Sequence, residues 1–327
     1  MIQMQRWWLW CFLLVVAPIE ALPGQVSFVP EKVIVKASSI NLRSGPLLTN
    51  GNIIARLKEG TVLEVVELHD QGAMVELNGR WSPWYKLRTE SGQIGYALGD
   101  FLSPTLIIQY EDAWIDGNIP ALNWYGIYQK DAHSDEIRRV RVRKEAIYSE
   151  AQQDTLYVLR TDQLDTAKFL IGTLETMQEG YAGPLGSMEA VGWFAAGEMS
   201  PGIQVPVVTG RENDAVGPAS SYFLVATGCA DWVDNAMSVR DYKLRMVEVQ
   251  AEEQQIQDLS SWLICEHQHP PTVQLLWYGD LDCDWVPDLL IHDCPFEMGC
   301  RTSLFLSSKA KQNELVRKVG EFFWQGN

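Results

Sequence analysis

Four aspartates stand at places one, three, five and nine of a short stretch, YGDLDCDWVPDLLIHD at residues 278–293. Calcium is a hard cation that takes about six to eight oxygens, and carboxylates at those places, with a backbone carbonyl at place seven, supply most of them from one turn. The candidate ligands are Asp280, Asp282, Asp284, the carbonyl of Val286, and Asp288, with Ca2+ as the implied cofactor. Without an ion the same residues form a solvated acidic turn. Carboxylates this close repel and raise one another's pKa unless a lysine, an arginine or open water relieves them. Both readings stand on these residues. The DLLI that follows is apolar and re-enters a core.

Three further groups have the residue types for chemistry. CEHQH puts Cys265, His267 and His269 at alternate positions, so on a strand all three share one face and suit zinc or copper, or else simply an exposed strand beside Pro270 and Pro271. GCADWV around Cys229 offers a thiol nucleophile, although a disulfide or a buried thiol is the plainer expectation. In RRVRVRK (residues 138–144), Val140 and Val142 alternate with Arg139, Arg141 and Arg143. That pattern fits a half-solvated antiparallel strand better than a stripe for polyanions.

These residues need a scaffold, and the chain start says where it is assembled. Residues 1–21 carry one arginine, Arg6, then eleven apolar residues from 7 to 17, and reach Ala21. This reads as a secretory signal peptide. It predicts export to the periplasm or the extracellular space, with no integral membrane span after cleavage, since no later stretch is long and uncharged enough to cross a bilayer. Five cysteines would remain, Cys229, Cys265, Cys283, Cys294 and Cys300. An oxidising compartment favours disulfides among them, and the closeness of Cys283, Cys294 and Cys300 predicts a staple near the acidic stretch. No CxxC pair occurs, which argues against a structural zinc site. The formal charge of -16 on 327 residues repels phosphate backbones and anionic headgroups, so nucleic acid is not expected as a partner.

Residues 33–103 read as short β segments punctuated by Gly45, Gly60, Gly79, Gly92 and Gly95, without an amphipathic run long enough for a helix. Pro46 ends a strand after the turn at Arg43, Ser44 and Gly45, and Gly60 and Gly92 sit at chain reversals. In order come INLRSGP (residues 40–46), LKEGTVLEVVE (57–67), WYKLR (84–88) and SGQIGYALGDFLS (91–103). Together they resemble the bacterial SH3-like domain. The resemblance implies a small barrel at residues 30–104 that recognises peptide or cell-wall material such as peptidoglycan, in a groove lined by Trp84, Tyr85 and Tyr96 with Arg43 nearby. Aromatic residues at those places also serve as barrel core. VELNGRWSPWYKL departs from the family by inserting Trp81 and Pro83.

Residues 105–327 are expected to form a larger β-rich domain of antiparallel sheet with some helix, from runs such as LIIQY, NWYGIYQ, TLYVLR, KFLIGTLE, SYFLVATG, DYKLRMVEV, TVQLLWYG and TSLFLSS. AEEQQIQDLSSWL suits a helical turn or a hairpin loop, and ELVRKVGEFFW suits helix and strand equally. The acidic stretch resembles the calcium loop of FG-GAP-like extracellular repeats, matching its aspartates but placing Cys283 and Trp285 where that family has glycine. LLWYGD and LFLSSKAKQNELVRKVGEF are similar to segments of exported bacterial proteins that pair such a loop with an SH3-like domain. The reading is therefore a mainly β, exported, non-catalytic binding protein, with a cysteine- or carboxylate-based cell-wall hydrolase as the alternative. Cysteine peptidases that accompany SH3-like domains need an aspartate-cysteine-serine-glycine turn and a glycine-histidine strand, and the sequence has neither.

Overall fold

The computed structural model describes residues 28–69, 74–77, 80–113, 115, 119–131, 134–149, 154–183, 199, 204–207, 220–233, 236–250, 253–263, 272–294 and 299–324. The proposed signal segment, residues 1–21, and the CEHQH group with Cys265, His267 and His269 lie outside them. Among the described residues the only helical elements are turns of three residues, and everything else that is regular is antiparallel strand.

The first unit contains β1 (Lys32–Val35), β2 (Ser39–Arg43), β3 (Ile53–Lys58), β4 (Val62–His69), β5 (Val75–Leu77), β6 (Arg80–Ser82), β7 (Trp84–Arg88), β8 (Ile94–Leu98) and β9 (Leu102–Pro104). Seven of these form one sheet in the order β3-β2-β8-β7-β4-β1-β9, with β5 and β6 as a separate hairpin. Val33, Val35, Ile40, Leu42, Leu57, Leu63, Leu87 and Ala97 close its core. Alternation does this: in SINLR the second and fourth residues are buried and their neighbours are not.

Next come β10 (Leu106–Gln109), β11 (Asn123–Gln129), β12 (Asp135–Val140), β13 (Val142–Ser149), β14 (Asp154–Thr161), β15 (Phe169–Thr173) and β16 (Gly180–Gly183). Five of them form the sheet β10-β15-β11-β12-β16, and β13 with β14 is a hairpin. The arginine-rich run is therefore split between two strands at Arg141, whose N–H donates to Asp162. Arg138 meets Glu136 and Asp165, Arg139 donates to Asn123, and Arg143 meets Glu145, so these side chains are engaged locally.

The last two sheets are β17 (Gln204–Val207), β18 (Ser220–Val233), β19 (Ala236–Gln250) and β20 (Glu253–Asp258), then β21 (Thr272–Gly279), β22 (Asp288–Cys294), β23 (Cys300–Leu306) and β24 (Arg317–Trp324), each in sequence order. AEEQQIQDLSSWL, which suited a helical turn or a loop, is β20 with its following turn, and ELVRKVGEFFW, which suited helix and strand equally, supplies β24. Val247 and Val249 face β20 partners directly across the ladder, and pairing of this kind decides for strand where propensity is neutral.

The β21–β24 sheet is covered on both faces. Leu275, Leu289, Ile291 and Phe305 pack against Leu224, Leu244 and Met246 of the β17–β20 sheet. Leu290, Leu304 and Leu306 pack on the opposite side with Ile127, Phe169 and Ile171 of the five-stranded sheet. Burial on two faces explains why DLLI and LFL are continuous apolar runs. A polar tie crosses the layers: buried Asp135 accepts from Trp277 Nε1 at 2.9 Å, and within its own sheet it pairs with Lys168 at 2.7 Å.

Candidate functional site

The acidic stretch is the connection between β21 and β22, whose ladder ends at Gly279 opposite Asp288. Gly279 lies so close to β16 that an added Cβ would stand 2.1 Å from the Ala182 carbonyl oxygen. One residue on, the Asp280 N–H donates to the same oxygen at 3.0 Å. The start of the loop is thereby fixed against the neighbouring sheet.

Cys283 and Trp285, at places four and six, have φ of 62° and 68°. These are the left-handed conformations for which glycine is the usual choice, and a side chain there costs on the order of 1–2 kcal/mol. Asp280 offsets that cost. One of its oxygens accepts the Asp284 N–H and the other the Trp285 N–H, both at 3.1 Å, while Asp284 accepts the Val286 N–H at 2.9 Å. The chain winds around its own carboxylates without the glycines.

Of the five residues expected as ligands, Asp280, Asp282 and Asp288 each place an oxygen within 4.8 Å of the others. Asp284 and the Val286 carbonyl turn instead to Ser307. The Ser307 Oγ lies 2.9 and 3.0 Å from the two Asp284 oxygens, 3.1 Å from Asp288 Oδ1 and 3.4 Å from the Val286 oxygen. A hydroxyl has one proton to share among those four acceptors. Ser308 Oγ contacts Asp282 Oδ2, while Asp282 Oδ1 is enclosed and has no hydrogen-bond partner. Ser307 and Ser308 were not among the sequence candidates. Their signal is two hydroxyls directly after the buried LFL of β23.

The nearby Lys309 is held by Glu175 at 2.7 Å and does not replace an ion in the loop. Asp288 is fully buried, with Leu281 N–H and Ser307 N–H donating to it at 2.7 and 2.8 Å. Burial, then the charge of Asp282, pushes its pKa well above the ordinary carboxylate value. Burial also raises Asp280. Asp282 is pushed up to about 6 by burial and by the neighbouring Asp284 and Asp280, against the lowering effect of Ser308. An oxygen-rich site with too few protons fits the donor chemistry of a hard divalent cation.

In the barrel, β7 pairs β8 with Trp84 opposite Leu98, Tyr85 opposite Ala97 and Lys86 opposite Tyr96. Period-two alternation puts Trp84 and Tyr96 on one face and Tyr85 on the other, against the core, so the four expected residues are not one groove wall. Trp84 is 1% exposed. Burial and the charge of Glu321 on β24 raise the pKa of Tyr85. Arg43 lies opposite Tyr96, and its guanidinium donates to the Thr49 carbonyl and to Asn52 Oδ1. Asn52 in turn donates to the carbonyls of Gly45 and Leu47. These bonds fix the loop that presents Leu47 and Leu48, which are 63% and 53% exposed, and the inserted Trp81 is 63% exposed on the β5–β6 hairpin.

Cys229 is a free, exposed thiol on the long β18–β19 hairpin opposite Arg240, where a disulfide or a buried thiol was expected. The staple was expected beside the acidic stretch; the disulfide instead joins Cys294 to Cys300 at the opposite end of β22, where the ladder pairs Cys294 with Thr272, and Cys283 stands apart from it with an exposed side chain.

No curated protein matches the chain. Residues 38–103 match the family model of the bacterial SH3 domain, and the barrel that carries Arg43, Leu47 and Tyr96 is a domain of that kind, a class of binding module.

Proposed function

We propose that the protein is an exported, non-catalytic binding protein of the bacterial cell envelope, in which the barrel recognises peptide or cell-wall material. The observation that carries this reading is the coincidence, within residues 38–103, of the SH3 family match with an exposed apolar loop held rigid from beneath by Arg43 and Asn52. A fixed loop loses little conformational freedom when a ligand docks, so Leu47 and Leu48 favour contact over mobility. Tyr96, half-buried beside Arg43, extends that surface. Co-sedimentation of the full chain with purified peptidoglycan tests the reading, with a Leu47→Ser, Leu48→Ser variant as the control for this surface.

The second element of the proposal is a bound calcium ion that stabilises the β21–β22 connection, with Asp280, Asp282 and Asp288 as its carboxylate ligands. The crowd of oxygens around one serine proton, and the enclosed Asp282 oxygen without a partner, support it. Saturable calcium binding to chelator-stripped protein, lost in Asp282→Asn, is the test. Absence of heat in both proteins contradicts it.

A further inference from the structure

A second group of reactive side chains lies at the far end of the same sheet. The register that sets His292 opposite Thr302 on β22 and β23 places Gln274 of β21 and Phe322 of β24 in the same row, so these four residues cross the sheet on one face. Two residues along, Cys294 and Cys300 are opposed and joined. A cavity of about 450 Å³ lies over this face, walled by Tyr110 and Phe322, whose rings meet edge to face at 5.7 Å, and floored by His292, Thr302 and Cys300.

Polar atoms of the cavity lining form a chain that ends on Cys294, just outside the lining residues. Tyr110 Oη is 3.1 Å from Thr302 Oγ1, which is 2.9 Å from His292 Nδ1. His292 Nε2 is 3.0 Å from Cys294 Sγ. If Tyr110 donates to Thr302 and Thr302 to Nδ1, the remaining imidazole proton sits on Nε2 and points at sulfur. Burial lowers the His292 pKa, which agrees with a neutral ring. The strands do not need the bond for their register, because the ladder from Leu289 to Asp293 already sets it.

We propose that the Cys294–Cys300 disulfide is a thiol–disulfide exchange centre for small or peptide thiols that enter this cavity, with Cys300 as the sulfur attacked and His292 as the group that receives the departing Cys294. In the first step an incoming thiolate forms a bond to Cys300 Sγ. The Cys294–Cys300 bond breaks and its electron pair leaves on Cys294 Sγ, where the His292 Nε2–H donates a hydrogen bond to the new thiolate. Stabilising the leaving thiolate speeds exchange. In the second step another thiolate attacks the substrate sulfur of the mixed disulfide and releases Cys300. The sum is two thiols oxidised to one disulfide and the protein disulfide reduced to two thiols, with two protons transferred. Thr302 and Tyr110 are positioning residues for His292.

The test uses the oxidised full-length chain, with exposed thiols including Cys229 and Cys283 first blocked by iodoacetamide, and glutathione as the probe. After brief exposure, N-ethylmaleimide traps the released thiol and peptide mass spectrometry locates both adducts. The expected result is glutathione on Cys300, maleimide on Cys294, and a rate at least about tenfold lower in His292→Phe. Thr302→Val, which leaves the imidazole in place, lowers the rate by a smaller factor and keeps the proposal testable if His292→Phe does not fold. Urea midpoints of the oxidised proteins check that folding is unchanged. Glutathione chiefly on Cys294, no adduct without denaturant, or equal rates in wild type and a folded variant would each overturn the proposal.

Discussion

Replacing Asp282 by asparagine removes one charge from the acidic loop while keeping an oxygen for the Ser308 hydroxyl to donate to. The pKa of Asp282 is raised from 3.8 to about 6. A rise of that size corresponds to about 3 kcal/mol, reduced to on the order of 1–2 kcal/mol because the carboxylate is partly in solvent. The sign follows from proton uptake. Between about pH 4 and pH 6 the folded chain keeps the Asp282 proton that the unfolded chain loses, so this contribution to stability is full below pH 4 and is lost as pH rises through 6. Without calcium, Asp282→Asn should therefore match the wild type near pH 4 and exceed it by that 1–2 kcal/mol at pH 7.5. Calcium at one hundred times its dissociation constant adds about 2.7 kcal/mol to the wild type and reverses the order. Urea unfolding of both proteins at pH 4 and 7.5, with chelator and with calcium, reads the difference, and subtraction cancels the other titrating groups. A variant less stable than the wild type at pH 7.5 in chelator would contradict a destabilising Asp282 charge, and calcium stabilisation of both proteins alike would contradict Asp282 as a ligand.

Other perturbations follow from particular contacts. Asp293→Ala leaves the buried Arg301 guanidinium without the two carboxylate oxygens it meets at 2.9 and 3.3 Å, and should cost about 3–5 kcal/mol in urea unfolding. A loss below 1 kcal/mol would show that Glu321, at 3.8 Å, compensates. Gly279→Ala drives a methyl into the Ala182 carbonyl and should lower the unfolding midpoint and weaken calcium binding together; a neutral effect would contradict the close approach. Trp285→Gly relieves the positive φ and should raise stability by up to about 1 kcal/mol, with calcium affinity unchanged or higher. Lower stability by the same measurement would mean that the indole packing outweighs the strain.

Period-two patterning made the strands legible. NWYGIYQ, TLYVLR, TVQLLWYG and DLLIH are all strands, and the four barrel motifs fall within one sheet and its turns. What the sequence hid depends on pairing across distance. Nothing in LFLSS says that its serines reach the aspartates of a loop some twenty residues earlier, and no local rule tells that Asp280 would hold Cys283 and Trp285 where glycine was expected. Trp84 and Tyr85 were placed in one groove by the resemblance to the SH3-like domain, but neighbours on a strand point to opposite faces. The Cys294–Cys300 pair needed the β22–β23 register to be chosen over Cys283. Gly279 had no sequence signal beyond its place before an aspartate, since its constraint comes from Ala182, nearly a hundred residues away.

The most direct measurement of the proposed function is co-sedimentation of the full chain with purified peptidoglycan, wild type beside Leu47→Ser, Leu48→Ser. The expected result is saturable retention of the wild type and at least about a tenfold weaker retention of the variant, a difference of about 1.4 kcal/mol from two exposed leucines. Retention of neither protein, or equal retention of both, would contradict the barrel loop as the recognition surface.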